Sequence, residues 1–422
     1  MNRQKFFDSL RDEVARIDKA SVTKRREKLI EGFTNSDNPK AIIDGREIEI
    51  FNSNDYLGLR HNLQMKKAES EAGKRLGTGP GAVRFISGSF KIHRELEKKI
   101  AEFHQRDDAM VFSSAFATNL AVIFSLIKPQ SKDSIVNGAT LVISDELNHR
   151  SIIDGIRLAN LDKEAKTIFK HLQASSLEEE LSKNVGKFVR AIVITDGVFS
   201  MLGEYQDLAK IRQVVDKYDD KFDQGVLLII DDCHGVAAFG RTGRGTEEIT
   251  GVKADVLVGT LGKGFGADGG YVVADQTIID YLRETAATYV YSNTITPATA
   301  AAALKALEIV DSDEGRKLLK NLRENINFFK DTVKKAGFNF AAESIHPIQA
   351  LLIGDTKKTQ ELAKAMFDRG YFITNINYPV IPKGKDEIRV QLCATQNKKI
   401  INGFAASLTE EGRKLGLIDR AG

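Results

Sequence analysis

The chain has 422 residues, 42% hydrophobic and 28% charged, with 61 basic against 58 acidic side chains and a net charge of +3; that is enough for two or three globular domains, and the charge balance argues against a nucleic-acid or polybasic membrane partner. The only two cysteines, Cys233 and Cys393, exclude a disulfide framework and a cysteine-based zinc site, which suits a reducing cytoplasm. The N-terminus lacks a signal-peptide apolar core and no apolar run nears the roughly 18 residues of a membrane span, so the expectation is a soluble cytoplasmic protein.

In chain order, residues 4–31 carry an amphipathic helical pattern, with Phe6, Phe7, Leu10, Val14 and Ile17 on one stripe among charges of both signs. Residues 41–51 predict a hairpin around Asp44-Gly45. Next comes Asn52-Ser-Asn-Asp-Tyr-Leu-Gly-Leu59, then a glycine-spaced loop from Gly77 to Gly88. That loop follows a charged helical run and lacks both the full GxGxxG spacing and a Walker lysine, which argues against a dinucleotide or P-loop site. Arg84 within it is either a contact for a substrate anion or a structural salt-bridge partner.

From residue 110 the pattern becomes strand-then-helix. Met110–Phe112, Leu141–Ile143, Ala191–Ile194, Val226–Ile230 and Val256–Val258 are short and uniformly apolar, which predicts a mostly parallel sheet buried on both faces by helices. Ligands of such sheets gather beyond the carboxyl ends of the strands, so the polar residues that follow each strand are the candidates for chemistry. After the first stands Ser113-Ser-Ala-Phe-Ala-Thr-Asn119 at a helix start, suited either to phosphate binding or to ordinary capping. After the second stands Ser144-Asp-Glu-Leu-Asn-His149, after the third Thr195-Asp-Gly-Val-Phe-Ser200, and after the fourth Asp231-Asp-Cys-His234. The fifth runs into Thr260-Leu-Gly-Lys263, where five glycines between Gly262 and Gly270 leave the amine few neighbouring side chains.

A lysine, a buried carboxylate, a histidine ring and a helix N-terminus are the set that pyridoxal 5′-phosphate chemistry needs: an amine for the aldehyde, an anion for the ring nitrogen, a flat cover and a phosphate cradle. Metal binding ranks below this, because the cluster shows no further ligands at metal spacing. Beyond about residue 300, helices alternate with short strands, and the run Lys357 to Asp368 predicts a helix followed by a strand at Tyr371–Thr374. The expected division is 1–50 (helix and hairpin), 51–299 (large cofactor-binding α/β domain) and 300–422 (smaller C-terminal α+β domain).

Several distant motifs together resemble the α-oxoamine synthases of the fold-type I pyridoxal-phosphate enzymes: Ser53-Asn-Asp-Tyr-Leu-Gly58, Ser144–His149, Asp231–His234, Thr260–Lys263, Tyr291-Ser-Asn-Thr294 and Arg389. The resemblance covers nearly the whole chain. It implies that Lys263 forms the Schiff base and removes the α-proton, that Asp231 pairs with the ring nitrogen, that His234 bonds the ring hydroxyl and that His149 stacks on the ring. Ala115 and Phe116 would give backbone donors to the phosphate, Thr260 a hydroxyl, and Ser200 would lie beside the cofactor. Asn54 and Arg389 would hold the substrate carboxylate. The family forms homodimers with shared active sites, and Asn293 and Thr294 match the segment that reaches the neighbouring subunit's phosphate.

Within the family the likeness of Asn148–Arg157, Thr195–Met201 and Tyr378–Gly384 is to the glycine C-acetyltransferase branch, which implies condensation of glycine with acetyl-CoA to 2-amino-3-ketobutyrate and CoA, the carboxylate being retained. The alternatives are a decarboxylating relative, such as 8-amino-7-oxononanoate synthase (alanine with a pimeloyl thioester) or a serine palmitoyltransferase-like enzyme, then an aminotransferase or a non-catalytic cofactor-binding protein. Three departures bear on substrate identity: Gln396 stands where the family usually has histidine, Ser89-Phe90 replaces a more polar pair, and Asp268 puts a charge in the turn after Lys263.

Overall fold

The computed structural model describes residues 2–19, 23–25, 27–36, 38–377 and 381–419. It divides into two compact units, Met1–Ile50 and Phe51–Gly422. Tyr378–Val380, part of one motif quoted above, lie outside the described residues.

In the first unit, helix α1 (Asn2–Lys19) is shorter than the predicted 4–31. Residues 24–25 form a bend and 27–30 have no regular structure, in keeping with the low helix propensity of Val22 and Thr23 in the sequence before them. Its apolar stripe is exposed at Phe6, Phe7, Leu10 and Val14. Three short strands follow, β1 (Gly32–Phe33), β2 (Ala41–Ile43) and β3 (Arg46–Ile50). β2 and β3 pair antiparallel, Ala41 with Ile48 and Ile43 with Arg46. The two turn residues, Asp44 at φ 51° and Gly45 at φ 69°, are both left-handed, as a two-residue type I′ hairpin requires.

The second unit begins with α2 (Leu63–Leu76) and α3 (Lys91–His104). The alternation then runs β4 (Asp108–Phe112), α4 (Ala115–Ile127), β5 (Thr140–Asp145), α5 (Arg150–Leu158), β6 (Lys166–Phe169), α6 (Ala174–Asn184), β7 (Arg190–Asp196), α7 (Leu208–Asp219), β8 (Val226–Asp231), α8 (Thr246–Thr250), β9 (Val256–Thr260) and β10 (Gly270–Ala274). These strands form one seven-stranded sheet in the order β4-β10-β9-β8-β7-β5-β6. β6, β5, β7, β8 and β9 are mutually parallel, whereas β10 runs antiparallel to both β9 and β4. Alternate residues feed two separate cores: Ile143, Val193, Leu228, Ile230 and Leu257 on one face, and Val142, Ile192, Ile194, Ile229, Val256 and Val258 on the other. Period-two side-chain direction therefore explains why these strands read as unbroken apolar runs.

Helices α9 (Gln276–Thr285), α10 (Ala287–Val290), α11 (Pro297–Val310) and α12 (Asp313–Lys335) lead to β11 (Ile348–Leu352), α13 (Thr356–Asp368), β12 (Tyr371–Phe372), β13 (Thr374–Ile376), β14 (Glu387–Gln391) and α14 (Lys398–Lys414). A small antiparallel sheet, β11-β14-β13, lies in this part. The expected boundary near residue 300 falls inside α11, which packs on α2 and α3. The segment after Phe51 is stitched to the C-terminal part by backbone bonds, Phe51 N–H to Phe372 O at 2.8 Å, Gln391 N–H to Phe51 O at 2.7 Å and Ala394 N–H to Tyr56 O at 2.8 Å. Among the described residues no helix is long and apolar enough to cross a membrane.

Candidate active site

Five parallel-sheet positions converge on one cavity of about 210 Å³, lined by Ala115, Phe116, Asn119, His149, Ser151, Asp196, Val198, Ser200, Asp231, Cys233, His234, Thr260 and Lys263. It lies beyond the carboxyl ends of β4, β5, β7, β8 and β9, where an α/β sheet leaves a crevice. Eight residues expected from the sequence thus meet: Ala115, Phe116, His149, Ser200, Asp231, His234, Thr260 and Lys263. Asn119, Asp196 and Cys233, which stood in the candidate stretches without a role of their own, join them, as does Ser151. Among the described residues no group of three or more His, Cys, Asp and Glu is placed to hold a metal ion.

At one end of the cavity is the start of α4. Ser114 caps the helix by accepting the Ala117 N–H at 3.1 Å, and the N–H groups of Ala115 and Phe116 belong to the first turn, which has no intrahelical acceptors to offer them. A Cβ built on Gly270 would lie 2.3 Å from the Ala115 nitrogen. Only glycine lets the helix start sit this close to β10.

Asp231 closes β8 and is buried. Its Oδ2 accepts from Asn119 Nδ2 at 2.5 Å, and its Oδ1 from the Cys233 N–H at 3.0 Å. Asn119 Nδ2 also meets Ser151 Oγ at 2.9 Å, and Ser151 Oγ lies 2.7 Å from His149 Nδ1. The Ser151 N–H donates to that same nitrogen at 3.3 Å. Nδ1 of His149 is therefore an acceptor, the ring's proton sits on Nε2, and burial holds the ring's pKa below its ordinary value despite the opposing pull of Asp231. Asp232, next in sequence, is not part of the lining. It accepts the Thr246 hydroxyl at 2.6 Å and N–H at 2.7 Å, burial pushes it up to about 8, and its role is to tie the loop after β8 to α8.

His234 is buried, and that burial, then the charge of Lys263, keeps it neutral. Its Nδ1 lies 2.8 Å from the Tyr56 hydroxyl, while its carbonyl meets His346 Nε2 at 2.8 Å. Tyr56 OH also approaches Asn54 Oδ1 at 3.3 Å, and that oxygen accepts from Gln391 Nε2 at 2.5 Å. Asn54 and the β14 side chains thereby reach the cavity through Tyr56 and His234. Arg389 does not line the cavity; its charge acts on Tyr56, His234 and His346, and its Nε is buried with no partner among the described residues.

Thr260 donates its hydroxyl to the Gly269 carbonyl at 3.0 Å and accepts the Gly262 N–H at 3.2 Å, shaping the turn that carries Lys263. Asp268 in that turn is exposed and bonds the Gly269 N–H at 2.8 Å. Gln396 caps a backbone turn through Oε1 to the Cys393 N–H at 3.0 Å.

Arg84 corrects the substrate-anion expectation. It is buried against Glu97 at 3.0 and 3.4 Å and against Ser89 Oγ at 2.9 Å, outside the cavity. Glu97 also receives Arg94 at 3.4 Å, Arg283 at 3.0 Å and the Val111 N–H at 3.2 Å, so this guanidinium is already committed to a structural cluster. Asn293 and Thr294 are likewise outside the cavity; Asn293 is exposed, and Thr294 is buried with Oγ1 unpartnered among the described residues.

Residues 46–407 match the family described as aminotransferase class I and II. The 8-amino-7-oxononanoate synthase of Petrotoga mobilis is 37% identical over 98% of this chain and 100% of its own length. That of Thermosipho melanesiensis is 37% identical over 89% of this chain and 91% of its own length. A solved structure of SPT with PLP is 25% identical with a TM-score of 0.87, covering 98% of this chain and 99% of that one.

Proposed function

Because the chain belongs to the aminotransferase class I and II family and, within it, to the α-oxoamine synthases, we propose that it joins alanine to a pimeloyl thioester, as an 8-amino-7-oxononanoate synthase does. Glycine with acetyl-CoA, the condensation implied by the sequence motifs, gives way to this reading because relatives similar over nearly the full chain carry the other name. Pyridoxal 5′-phosphate is the cofactor, and the observation that carries the reading is the meeting of Lys263, Asp231, His149 and His234 in one cavity.

The residues fit that group. Gly270 opens the space that brings the first N–H groups of α4 to the sheet, a ready anion cradle. Asp231 is a buried carboxylate already steadied by two donors, suited to hold a protonated ring nitrogen. When bound, the cofactor supplies an aldehyde carbon for an amine and an electron-withdrawing ring that makes the α-carbon of an amino acid a nucleophile.

In the proposed roles, Lys263 Nζ would hold the aldehyde carbon and would move protons at the substrate α-carbon. His149 would cover the ring face, and His234 would offer Nε2–H to the ring oxygen. Ala115 and Phe116 N–H would bind the phosphate with Thr260, Ser200 would flank the ring, and Asn54 and Arg389 would hold the substrate carboxylate. Asn293 and Thr294 of a second copy would complete the phosphate site. A bond forms between the alanine α-carbon and the acyl carbon, the carbon–sulfur bond breaks to release the carrier thiol, and the amino-acid carboxylate leaves as carbon dioxide.

The test is thiol release by the cofactor-loaded protein with alanine or glycine against pimeloyl-CoA or acetyl-CoA, with carboxyl-labelled amino acid. Thiol and labelled carbon dioxide in equal amounts with alanine and pimeloyl-CoA are expected. Thiol release confined to glycine and acetyl-CoA, with the label retained, would restore the glycine reading.

A further inference from the structure

Two carboxylates stand side by side at the end of the sheet. Asp196 on β7 and Asp231 on β8 are register partners, so their side chains leave the same face, and both line the cavity. They are 5% and 6% exposed. Asp231 has a donor on each oxygen, from Asn119 and from the Cys233 backbone. Among the described residues Asp196 has only the His149 N–H, at 3.0 Å on Oδ2, and its Oδ1 has no partner there. Neighbouring buried carboxyls do not both hold charge; the better-solvated one keeps it and the other takes the proton. Here the donors favour charge on Asp231.

We propose that Asp196 is a further cofactor-binding residue that works as a neutral carboxylic acid, its Oδ1 hydroxyl donating to an acceptor oxygen of pyridoxal phosphate. The surroundings agree. Burial, then the charge of Asp231, pushes Asp196 well above the carboxylate range; Asp145 on β5 adds to that push, and the His149 N–H and the Lys263 ammonium oppose it without reversing it. A neutral Asp196 leaves one anion in the pair, the number a single protonated ring nitrogen can balance, whereas an ionised one would compete with Asp231 for it.

The inference rests on the cofactor, not on which amino acid or thioester reacts, so its failure would leave the proposed condensation standing. Asp196→Asn keeps an oxygen for the His149 N–H and puts an amide donor in place of the hydroxyl; Asp196→Ala removes both. The readouts are the protonated-carboxyl component in the wild-type-minus-variant infrared difference spectrum of the apoprotein at neutral pH, in which the band of Asp232 cancels, and the dissociation constant of pyridoxal phosphate by equilibrium titration. A component present in the wild type and missing from Asp196→Asn is expected, with cofactor affinity of the Asn variant within about threefold of wild type and that of the Ala variant lower by about tenfold or more. An unchanged band in Asp196→Asn, or affinity in that variant as poor as in Asp196→Ala, would overturn the neutral-acid role. Wild-type affinity in Asp196→Ala would overturn any role in binding. Should the Ala variant not fold, the infrared comparison decides by itself.

Discussion

Replacing Tyr56 by phenylalanine removes one hydroxyl at the heart of the site, shared between His234 Nδ1 and Asn54 Oδ1. Tyr56 is fully buried, and its ring packs edge-on to His346 at 5.1 Å between centroids, a contact that phenylalanine keeps. What disappears is the hydroxyl 2.8 Å from His234 Nδ1; Asn54 Oδ1, its other neighbour, retains Gln391. We assign the single hydroxyl hydrogen of Tyr56 to His234 Nδ1 at 2.8 Å over Asn54 Oδ1 at 3.3 Å, which leaves neutral His234 its proton on Nε2, the tautomer able to donate to a ligand oxygen. A buried imidazole nitrogen left without its partner costs about 2 kcal/mol, or roughly 30-fold in an equilibrium or rate at about 1.4 kcal/mol per decade. Two assays divide that cost. Urea unfolding of the apoprotein reads the share lost to stability, and cofactor affinity together with kcat/KM reads the share lost through the wrong tautomer. We predict a loss of about 10- to 30-fold in kcat/KM with an ordinary unfolding transition. A variant matching wild type in both cofactor affinity and kcat/KM would refute the idea that Tyr56 sets the His234 tautomer.

Three further predictions concern the frame. Glu97→Ala removes the only anion paired with buried Arg84 among the described residues and should cost about 3–5 kcal/mol in denaturant unfolding; a loss below about 1 kcal/mol would mean that the cluster relaxes around water. Gly270→Ala puts a methyl 2.3 Å from the Ala115 nitrogen, so cofactor affinity should fall steeply even where circular dichroism stays native, and unchanged affinity would show that α4 does not hold the phosphate. His171 loses cationic character to burial but regains more from Asp145 at 3.0 Å and Glu204 at 3.5 Å, ending at about 9. Its folded value is raised, so its contribution, on the order of 2 kcal/mol after allowing for solvent, is complete below about pH 6.5 and is lost as pH rises through about 9. Unfolding free energies across that range should slope downward in wild type and flatten in His171→Gln; equal slopes would remove the ion pairs from the account.

The sheet was legible in the sequence because its central strands are buried on both faces, and an unbroken apolar run such as Val226–Ile230 has few other readings. Once the strands are placed, the rule that ligands sit at their carboxyl ends picks out Lys263, Asp231, His234 and His149. β6 and β10 escaped for separate reasons. β6 is an edge strand with exposed Lys166 and Ile168, and β10 follows its glycine turn so closely that its apolar run merged with the loop. Asn119 and Ser151 escaped because helices accept either residue without chemical purpose. One signal was there to be used: Asn119 interrupts the apolar helix α4, and a buried amide needs partners. Asp196 could not be found without its register partner, since only pairing sets two carboxyls side by side. Arg84 shows the converse, a motif arginine whose acid, Glu97, lies on the following helix.

The backbone bonds from Gln391 to Phe51 and from Ala394 to Tyr56 also order events at the ribosome. Residues 51–56 leave the tunnel more than 300 residues before the strand that anchors them, and loop closure over such a span comes late. The Asn54–Tyr56 wall of the site must therefore wait for almost complete synthesis.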